Sequence, residues 1–172
     1  CGKDLFKKSF PYMMPYIFKL AASPHLAALK EKKNISAAKI KNSLKKLESR
    51  YEVVVIEGAG GLFVPLNRKW LLIDVIKDLN IPVLLVAANR LGTINHTLLS
   101  IEAVKTRKIP FLGAVINNTD KKENPVIVKD NPHIISAFYP KDVLGVIPWR
   151  KNTGSLKRVF KGIGDKIAQR FK

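Results

Sequence analysis

The sequence predicts an α/β fold of three layers, in which a mostly parallel sheet lies between helices. Four short apolar runs, typical of buried strands, alternate along the chain with stretches of helical periodicity. The runs are Val53–Ile56, Pro82–Ala88, Pro110–Ile116 and Val143–Ile147. Strands that alternate with helices pair in parallel through right-handed crossovers. With 172 residues, no internal repeat and no flexible linker, we expect one domain over residues 1–172.

The helices are predicted from apolar residues that recur every three or four positions. Three prolines interrupt residues 1–24, which we therefore expect to be irregular. Ser23 as N-cap and Pro24 as first helical residue then indicate a short helix. Further helices are predicted over Ser36–Ser49, Trp70–Leu79, Thr93–Thr106 and Leu156–Phe171. Residues 118–140 are polar, contain prolines and give no clear assignment.

The composition indicates a cytoplasmic protein that does not span a membrane. No apolar run approaches the ~20 residues needed to cross a bilayer, and the start of the chain lacks a signal-peptide pattern. The single cysteine, Cys1, allows no internal disulfide and fits a reducing compartment. The chain opens with this cysteine instead of methionine, which indicates a processed, trimmed or partial sequence.

The formal net charge of +18 is extreme and raises the question of a polyanionic partner. The lysines, however, lie along the whole chain among isoleucine and asparagine residues. There is no arginine-rich tract and no basic motif interleaved with aromatic residues. We therefore favour lysines spread over solvated faces, and we expect neither nucleic acid nor a membrane as partner.

An acidic residue and four small residues follow the first predicted strand. Glu57 ends the apolar run, and Gly58, Ala59, Gly60 and Gly61 come after it. A carboxylate at the carboxyl end of a buried strand is well placed to bind a metal ion or a metal-bound phosphate. The small residues allow a backbone to approach a ligand closely. The alternative is that Glu57 only ends the strand and the glycines only form a turn.

The other predicted strands also end in glycine or polar residues, at the sheet edge where α/β proteins bind ligands. These segments are Asn89–His96, Asn117–Asn118 and Pro148–Arg150. Gly92 and Thr93 precede a helix whose unpaired N–H groups favour an anion, unless Thr93 only caps that helix. The amides of Asn117 and Asn118 offer a donor and an acceptor to a purine, and Trp149 can stack on it. Alternatively, Asn117 only satisfies loop backbone and Trp149 only covers the core.

Several motifs together resemble those of dethiobiotin synthetases, the ATP-dependent ligases that close the ureido ring in biotin synthesis. VIEGAGGLFVPL and LGTINHTLL are the most specific, whereas GAVINN and GVIPW are weaker but follow in the expected order. PYIFKLAASPHLAA resembles the segment that precedes a helix near the substrate in this family. The resemblance covers most of the chain and implies a P-loop NTPase-like fold and a homodimer.

The resemblance also implies roles for individual residues. Glu57 would bind magnesium. ATP would be bound by Glu57, Gly58, Ala59, Gly60, Asn117, Asn118, Pro148, Trp149 and Arg150. The substrate diaminopelargonate would be bound by Ser23, Pro24, Leu91, Gly92, Thr93 and Asn95. Residues 91–95 would hold its carboxylate across the subunit interface. In the family chemistry, CO2 forms a carbamate on one amine, ATP phosphorylates it, and the second amine closes the ring.

The sequence departs from the family pattern in features that belong to the family's N-terminal third. No GxxxxGK[ST] phosphate loop is present, nor are the catalytic lysine, the substrate serine after it and a second acidic metal ligand. In addition, Ser155 or a neighbour stands where the family can carry a glutamate that contacts the ribose. We therefore expect no synthetase activity from these 172 residues alone. The alternative function is a non-catalytic remnant or polyanion-binding module on the same scaffold.

Overall fold

A computed structural model describes residues 3–171 of the protein, which form two compact units divided between Leu79 and Asn80. Within the described residues, the first unit contains α1 (Lys3–Met13), α2 (Pro24–Lys30), α3 (Ala37–Glu48) and α4 (Leu72–Leu79). The second contains β1 (Val83–Ala88), α5 (Thr93–Thr106), β2 (Phe111–Asn117), α6 (Pro125–Phe138), β3 (Val143–Ile147), a 3-10 turn (Thr153–Ser155) and α7 (Leu156–Arg170). The expectation of a single domain stays a prediction.

The second unit is a three-layer α/β structure, as the sequence predicts. Its strands pair in parallel in the order β1-β2-β3, so β2 is central and five of its consecutive residues are buried. One face of the sheet packs against α5 and α6, through Ile101, Ala114, Ile116 and Ile135. The opposite face packs against α7, through Val115, Leu144 and Ile163. Successive residues of β2 thus contribute to cores on opposite faces, as the two-residue period of a strand requires.

In the first unit, a small apolar core lies under an aromatic cover. Its buried members are Ala28, Ile35, Leu66 and Val75. The rings of Tyr16 and Phe18 stack with centroids 6.1 Å apart and pack on this core. The Tyr16 hydroxyl also accepts a hydrogen bond of 2.8 Å from the N–H of Ser36, the N-cap of α3. The cover therefore fixes the start of the helix whose apolar side closes the core.

The predicted helices α2 to α5 and α7 and the strands β1 to β3 lie within two residues of their expected bounds. Local periodicity and caps are sufficient to define these elements. No helix among residues 3–171 combines the length and the apolarity that crossing a bilayer requires.

The irregular structure predicted for the start of the chain is wrong for Lys3–Met13, which form α1. Pro11 lies in the last turn of this helix, which ends two residues later, so the proline disturbs little helical structure. Arg50, just after α3, holds α1 in place: its Nη1 donates to the Lys8 carbonyl at 2.8 Å and to the Ser9 hydroxyl at 3.1 Å. Ser9 is fully buried. Tertiary contacts therefore override the local proline signal.

The prediction of a buried strand at Val53–Ile56 is also wrong. These residues are in no strand, and Val55 is 90% exposed. Among the described residues, no N–H from position 52 to position 62 donates a backbone hydrogen bond. A run of β-branched residues is suited to a pleated surface, but it becomes a strand only where a neighbouring backbone satisfies its polar groups.

Helix α6, which the sequence did not reveal, occupies most of the segment between β2 and β3. Its start carries ordinary signals, because the Asn124 side chain accepts a hydrogen bond of 2.9 Å from the N–H of Val126 and Pro125 takes the first turn. Pro132 inside the helix obscures it in the sequence. Packing of the buried Ile135 against the sheet stabilises the helix despite this proline.

Candidate functional site

Three of the four predicted strand tips lie side by side in the second unit. Ala88 of β1 pairs with Asn117 of β2, which pairs in turn with Ile147 of β3. The ladder continues past the strands, since the N–H of Asn89 donates to the Asn117 carbonyl at 2.8 Å and that of Asn118 to the Ile147 carbonyl at 2.9 Å. We call the resulting edge of the sheet the strand-tip edge; Asn117, Asn118 and Pro148 are half-buried along it, and Asn89 is buried.

A network of side-chain amides lies beneath the strand-tip edge. Asn89 is 0% exposed, and its Nδ2 donates to the Asn118 Oδ1 at 2.8 Å and to the Val128 carbonyl at 2.9 Å. Its Oδ1 accepts from the Nδ2 of the buried Asn131 at 2.8 Å, and the same nitrogen donates to the Arg90 carbonyl at 3.2 Å. The network joins the ends of β1 and β2 to α6. Sequence reasoning missed Asn131, because its helix was not recognised.

The residues predicted to bind the base include Asn117, whose amide forms no hydrogen bond within the described residues, and Trp149, whose ring is partly exposed. Among the described residues, the Asn117 amide forms no side-chain hydrogen bond. Trp149 follows β3 and is 36% exposed, and the Lys121 Nζ lies 5.9 Å from its ring centroid. Pro148 is half-buried, whereas Arg150 is exposed. A flat ring just after β3 and an unused amide at the end of β2 can stack on and read a planar base.

Beyond β3, Arg150 helps to line a cavity of about 460 Å³. The residues of its lining are Arg150, Gly154, Ser155, Lys157, Arg158 and Val159. All the charged members of this lining are cations, so the cavity favours an anionic ligand. Ser155 is the N-cap residue of α7, but its side chain makes no cap hydrogen bond, and its hydroxyl donates to the Asn152 carbonyl at 3.0 Å.

The start of α5 leaves backbone N–H groups available to an anion. Gly92 is the N-cap residue and has a φ of +87°, which glycine adopts without strain. The alternative that Thr93 caps the helix is wrong, because its buried hydroxyl instead lies 3.4 Å from that of Thr97. The Thr93 N–H donates to the Arg90 carbonyl at 3.1 Å, and the first helical hydrogen bond runs from His96 to Gly92. Among the described residues, the N–H groups of Ile94 and Asn95 therefore have no backbone partner. The remaining predicted substrate residues of this turn are exposed, namely Leu91 and Asn95.

Glu57 lies in an exposed segment of the first unit, ahead of a glycine turn. Gly60 has a φ of +86°, and a Cβ on Gly58 would lie 2.4 Å from a methyl of Leu72, so the local fold itself uses both glycines. Ala59 is exposed. In residues 3–171, no cluster of three or more His, Cys, Asp or Glu side chains could hold a metal ion. The lone, exposed Glu57 carboxylate fits magnesium, which often takes one or two protein carboxylates and completes its shell with phosphates and water.

Ser23 and Pro24 open α2, also in the first unit. The Ser23 carbonyl accepts from the N–H groups of Leu26 and Ala27, both at 3.0 Å, while its side chain makes no cap hydrogen bond. The adjacent His25, which the sequence analysis did not single out, lines a cavity of about 570 Å³. Its Nδ1 is buried without a hydrogen-bond partner in the described part of the chain.

Comparison with protein families first defines the class. The family described as AAA domain matches residues 3–156. The chain is therefore an α/β protein of that family, and the predicted P-loop NTPase-like class with a parallel sheet is confirmed.

Individual relatives then define the family more closely. The chain is 35% identical over 162 residues to the ATP-dependent dethiobiotin synthetase of Clostridium novyi, across 92% of this chain and 67% of that protein. The enzyme of the same name from Anaeromyxobacter dehalogenans is 34% identical over 157 residues, across 91% and 69%. That of Halalkalibacterium halodurans is 42% identical over 135 residues, across 78% and 55%. The chain belongs to the dethiobiotin synthetase family, and it spans 55% to 69% of the length of these relatives.

Proposed function

We propose that the protein acts as an ATP-dependent dethiobiotin synthetase, a ligase that makes dethiobiotin from 7,8-diaminopelargonate and CO2. The observation that carries the proposal is the 35% identity to an enzyme of that name over 92% of this chain. The parallel sheet supports it, since the polar tips of its strands form one edge of the kind that binds nucleotides in α/β proteins.

The strand-tip edge is the proposed site for the adenine of ATP. Within residues 3–171, the Asn117 amide has a free donor and a free acceptor, which match the N7 acceptor and the N6 donor of adenine. Trp149 offers a ring for stacking, and Pro148 and Arg150 flank it along the chain. The cationic cavity beyond Arg150 suits an anionic part of the nucleotide.

Magnesium is the proposed metal, and Glu57 is the residue of this chain that would contribute an oxygen to it. The adjacent residues Gly58, Ala59 and Gly60 leave the Glu57 segment open to a phosphate from the solvent side. When bound, magnesium supplies positive charge that offsets the negative charge on a transferring phosphoryl group.

The first turn of α5 is the proposed site for the carboxylate of diaminopelargonate. Leu91, Gly92, Thr93 and Asn95 surround N–H groups that have no partner within the helix, and the helix dipole adds to their attraction for an anion. We propose that this turn serves the partner subunit of a cytoplasmic homodimer. Ser23 and Pro24 would contact the same substrate, and the Ser23 side chain is not used as a helix cap.

The test is an assay of dethiobiotin formation from diaminopelargonate, bicarbonate, ATP and magnesium by the complete gene product. We expect product only when all four components are present. The same assay on the 172 residues alone should give none, because they contain no phosphate loop. Absence of turnover by the complete gene product, together with salt-dependent nucleic acid binding, would favour the polyanion-binding alternative.

A further inference from the structure

The direction of every hydrogen bond in the amide network is fixed by two backbone carbonyls. A carbonyl oxygen only accepts, so the amide atom of Asn89 that lies 2.9 Å from the Val128 carbonyl has to be the nitrogen. The same reasoning places the nitrogen of Asn131 toward the Arg90 carbonyl, 3.2 Å away. The oxygen of Asn89 then accepts from Asn131 at 2.8 Å, which is consistent with both assignments.

The orientation of Asn118 follows from that of Asn89. The Asn89 nitrogen has a second N–H, which points at the Asn118 amide at 2.8 Å, so the facing atom of Asn118 has to be its oxygen. The backbone of Asn118 is held as well, because its N–H donates to the Ile147 carbonyl at 2.9 Å. Both the side chain and the backbone of Asn118 are therefore fixed, with the amide nitrogen turned away from Asn89.

Asn117 depends on the same contacts. Its carbonyl accepts from the N–H of Asn89 at 2.8 Å, and its carboxyl-side neighbour is Asn118. The tip of β2 is thus bound to the tip of β1 by one backbone and one side-chain hydrogen bond, both from Asn89. The amide of Asn117 itself remains unused within the described residues, although its backbone is immobilised on both sides.

Part of the network has a structural role, because Asn89 donates to the Val128 carbonyl, whose helical donor would be the N–H that Pro132 lacks. Buried amides contribute little net stability, because their desolvation offsets most of the hydrogen-bond energy. Apolar residues at positions 89 and 131 would also leave the Val128 and Arg90 carbonyls without these donors, which costs free energy. What apolar residues cannot provide is a defined orientation of the amide at the end of the chain of hydrogen bonds.

We infer that Asn89 and Asn131 are positioning residues of the nucleotide site, which fix Asn118 and the backbone of Asn117, the residue whose amide is proposed to read the adenine base. The inference rests on the proposed function, and it explains how the strand-tip edge is pre-organised before ATP arrives. Neither residue needs to touch the nucleotide, because Asn89 is fully buried and Asn131 nearly so.

The sharpest test is Asn89→Asp in the complete gene product, since it keeps the shape of the side chain and replaces its two donors by acceptors. The new carboxyl group faces the oxygens of Val128 and Asn118 and breaks both hydrogen bonds. We expect ATP to bind about tenfold more weakly, which is the loss of roughly one oriented hydrogen bond. Inorganic triphosphate has no base, so its affinity should change less than about twofold.

Both affinities are measured by displacement of a fluorescent ATP analogue, and turnover is measured in parallel. A positioning role raises the KM for ATP with little change in kcat. The matched control is Tyr139→Phe, which removes a 2.8 Å hydrogen bond to Glu102 before β3, at the opposite end of the strands. This control should leave the affinities for ATP and triphosphate unchanged.

A second variant keeps the test decisive if Asn89→Asp does not fold, as judged by circular dichroism. Asn131→Leu removes the donors to Asn89 and to the Arg90 carbonyl, and we expect the same selective loss of ATP affinity, at a smaller size. Equal losses of ATP and triphosphate affinity would show a merely structural role and overturn the inference. Unchanged ATP affinity in both variants would also overturn the inference. In either case, the proposed function would still stand as long as the unaltered protein binds ATP. No ATP binding by the unaltered protein would overturn both.

Discussion

Val53–Ile56 and β2 are both apolar but differ in structure. Both are short apolar runs that the sequence predicts as buried strands. Residues of β2 pair with β1 on one side and β3 on the other, and Leu112–Ile116 are buried. The residues from Val53 to Ile56 pair with no strand among the described residues and are largely exposed. The difference teaches that apolar, β-branched composition defines a capacity for pairing, whereas the available partners decide whether a strand forms.

Hydrogen exchange should show the largest difference between the two regions. We expect amide protons in the centre of β2, from Ala114 to Ile116, to exchange roughly a thousandfold or more slowly than those of Val53–Ile56, because only the former are buried and paired. The measurement is exchange in the 172-residue chain followed by mass spectrometry. Equal protection would mean that Val53–Ile56 belongs to a ladder, and the comparison would fail.

Core truncation should distinguish the regions by stability. Ile116 is fully buried between helices and strands, so Ile116→Ala should lower the free energy of unfolding by about 2–5 kcal/mol. Val55 is 90% exposed, and Val55→Ala should change the free energy of unfolding by less than about 0.5 kcal/mol. Urea unfolding of both variants provides the measurement. A large loss from Val55→Ala would reveal packing that the exposed position does not indicate.

The Glu57 carboxylate tests whether the unpaired region nevertheless has a function. In the complete gene product, Glu57→Gln should lower turnover by about a hundredfold, through loss of a negative oxygen from the metal site. Glu52→Gln is the matched control, because it removes the same charge from an exposed position in the same segment. Near-normal turnover by the Glu57 variant, or an equal loss in both, would refute the role in metal binding.

The substrate carboxylate tests the proposed site at the start of α5. Diaminopelargonate esterified at its carboxylate should bind at least about tenfold more weakly than the acid, because hydrogen bonds from N–H groups to a charged acceptor are lost. Calorimetric titration of the complete gene product with both compounds gives the comparison. The same affinity for ester and acid would count against this site.

A small pH effect is expected at the amino-terminal end of β3. The Tyr139 hydroxyl donates to the Glu102 carboxylate at 2.8 Å, and this hydrogen bond, followed by desolvation, raises the pKa of Tyr139 above its usual 10.0. Since the folded-state pKa is the higher one, the stabilising effect is complete below pH 10 and is lost as the pH rises through the folded-state pKa. Between pH 9 and 11, the midpoint temperature of thermal unfolding should fall less steeply for Tyr139→Phe than for the unaltered protein. Parallel profiles would exclude this coupling, which solvent screening keeps small.

The sequence was sufficient for elements with strong local signals and insufficient where distant residues decide. The Ser23–Pro24 start and the period of α5 needed no tertiary information. By contrast, α1 depends on Arg50, which lies more than 40 residues from the carbonyl and hydroxyl that it binds. The strand at Val53–Ile56 was predicted wrongly because composition carries no information about its partners.

In the candidate site too, some residues could be predicted from the sequence and others only from the structure. Asn117 and Asn118 were predicted as candidates because they follow a buried strand, and parallel pairing alone brings such tips to one edge. The link from Asn89 to Asn131 joins residues 42 positions apart, through a helix that Pro132 obscured. No local sequence pattern predicts such a contact, so the network could be identified only from the structure.

The hydrogen bond from the Asn118 N–H to the Ile147 carbonyl also bears on the chemical lifetime of the protein. Asparagine deamidates when the backbone nitrogen of the next residue attacks the side-chain amide and forms a cyclic imide. In this protein, the nitrogen that would attack the Asn117 side chain belongs to Asn118. Its N–H is hydrogen-bonded to the Ile147 carbonyl, which holds this nitrogen in place. The Asn117–Asn118 pair should therefore resist the ageing reaction to which such sequences are prone in flexible loops, and the amide keeps both its donor and its acceptor.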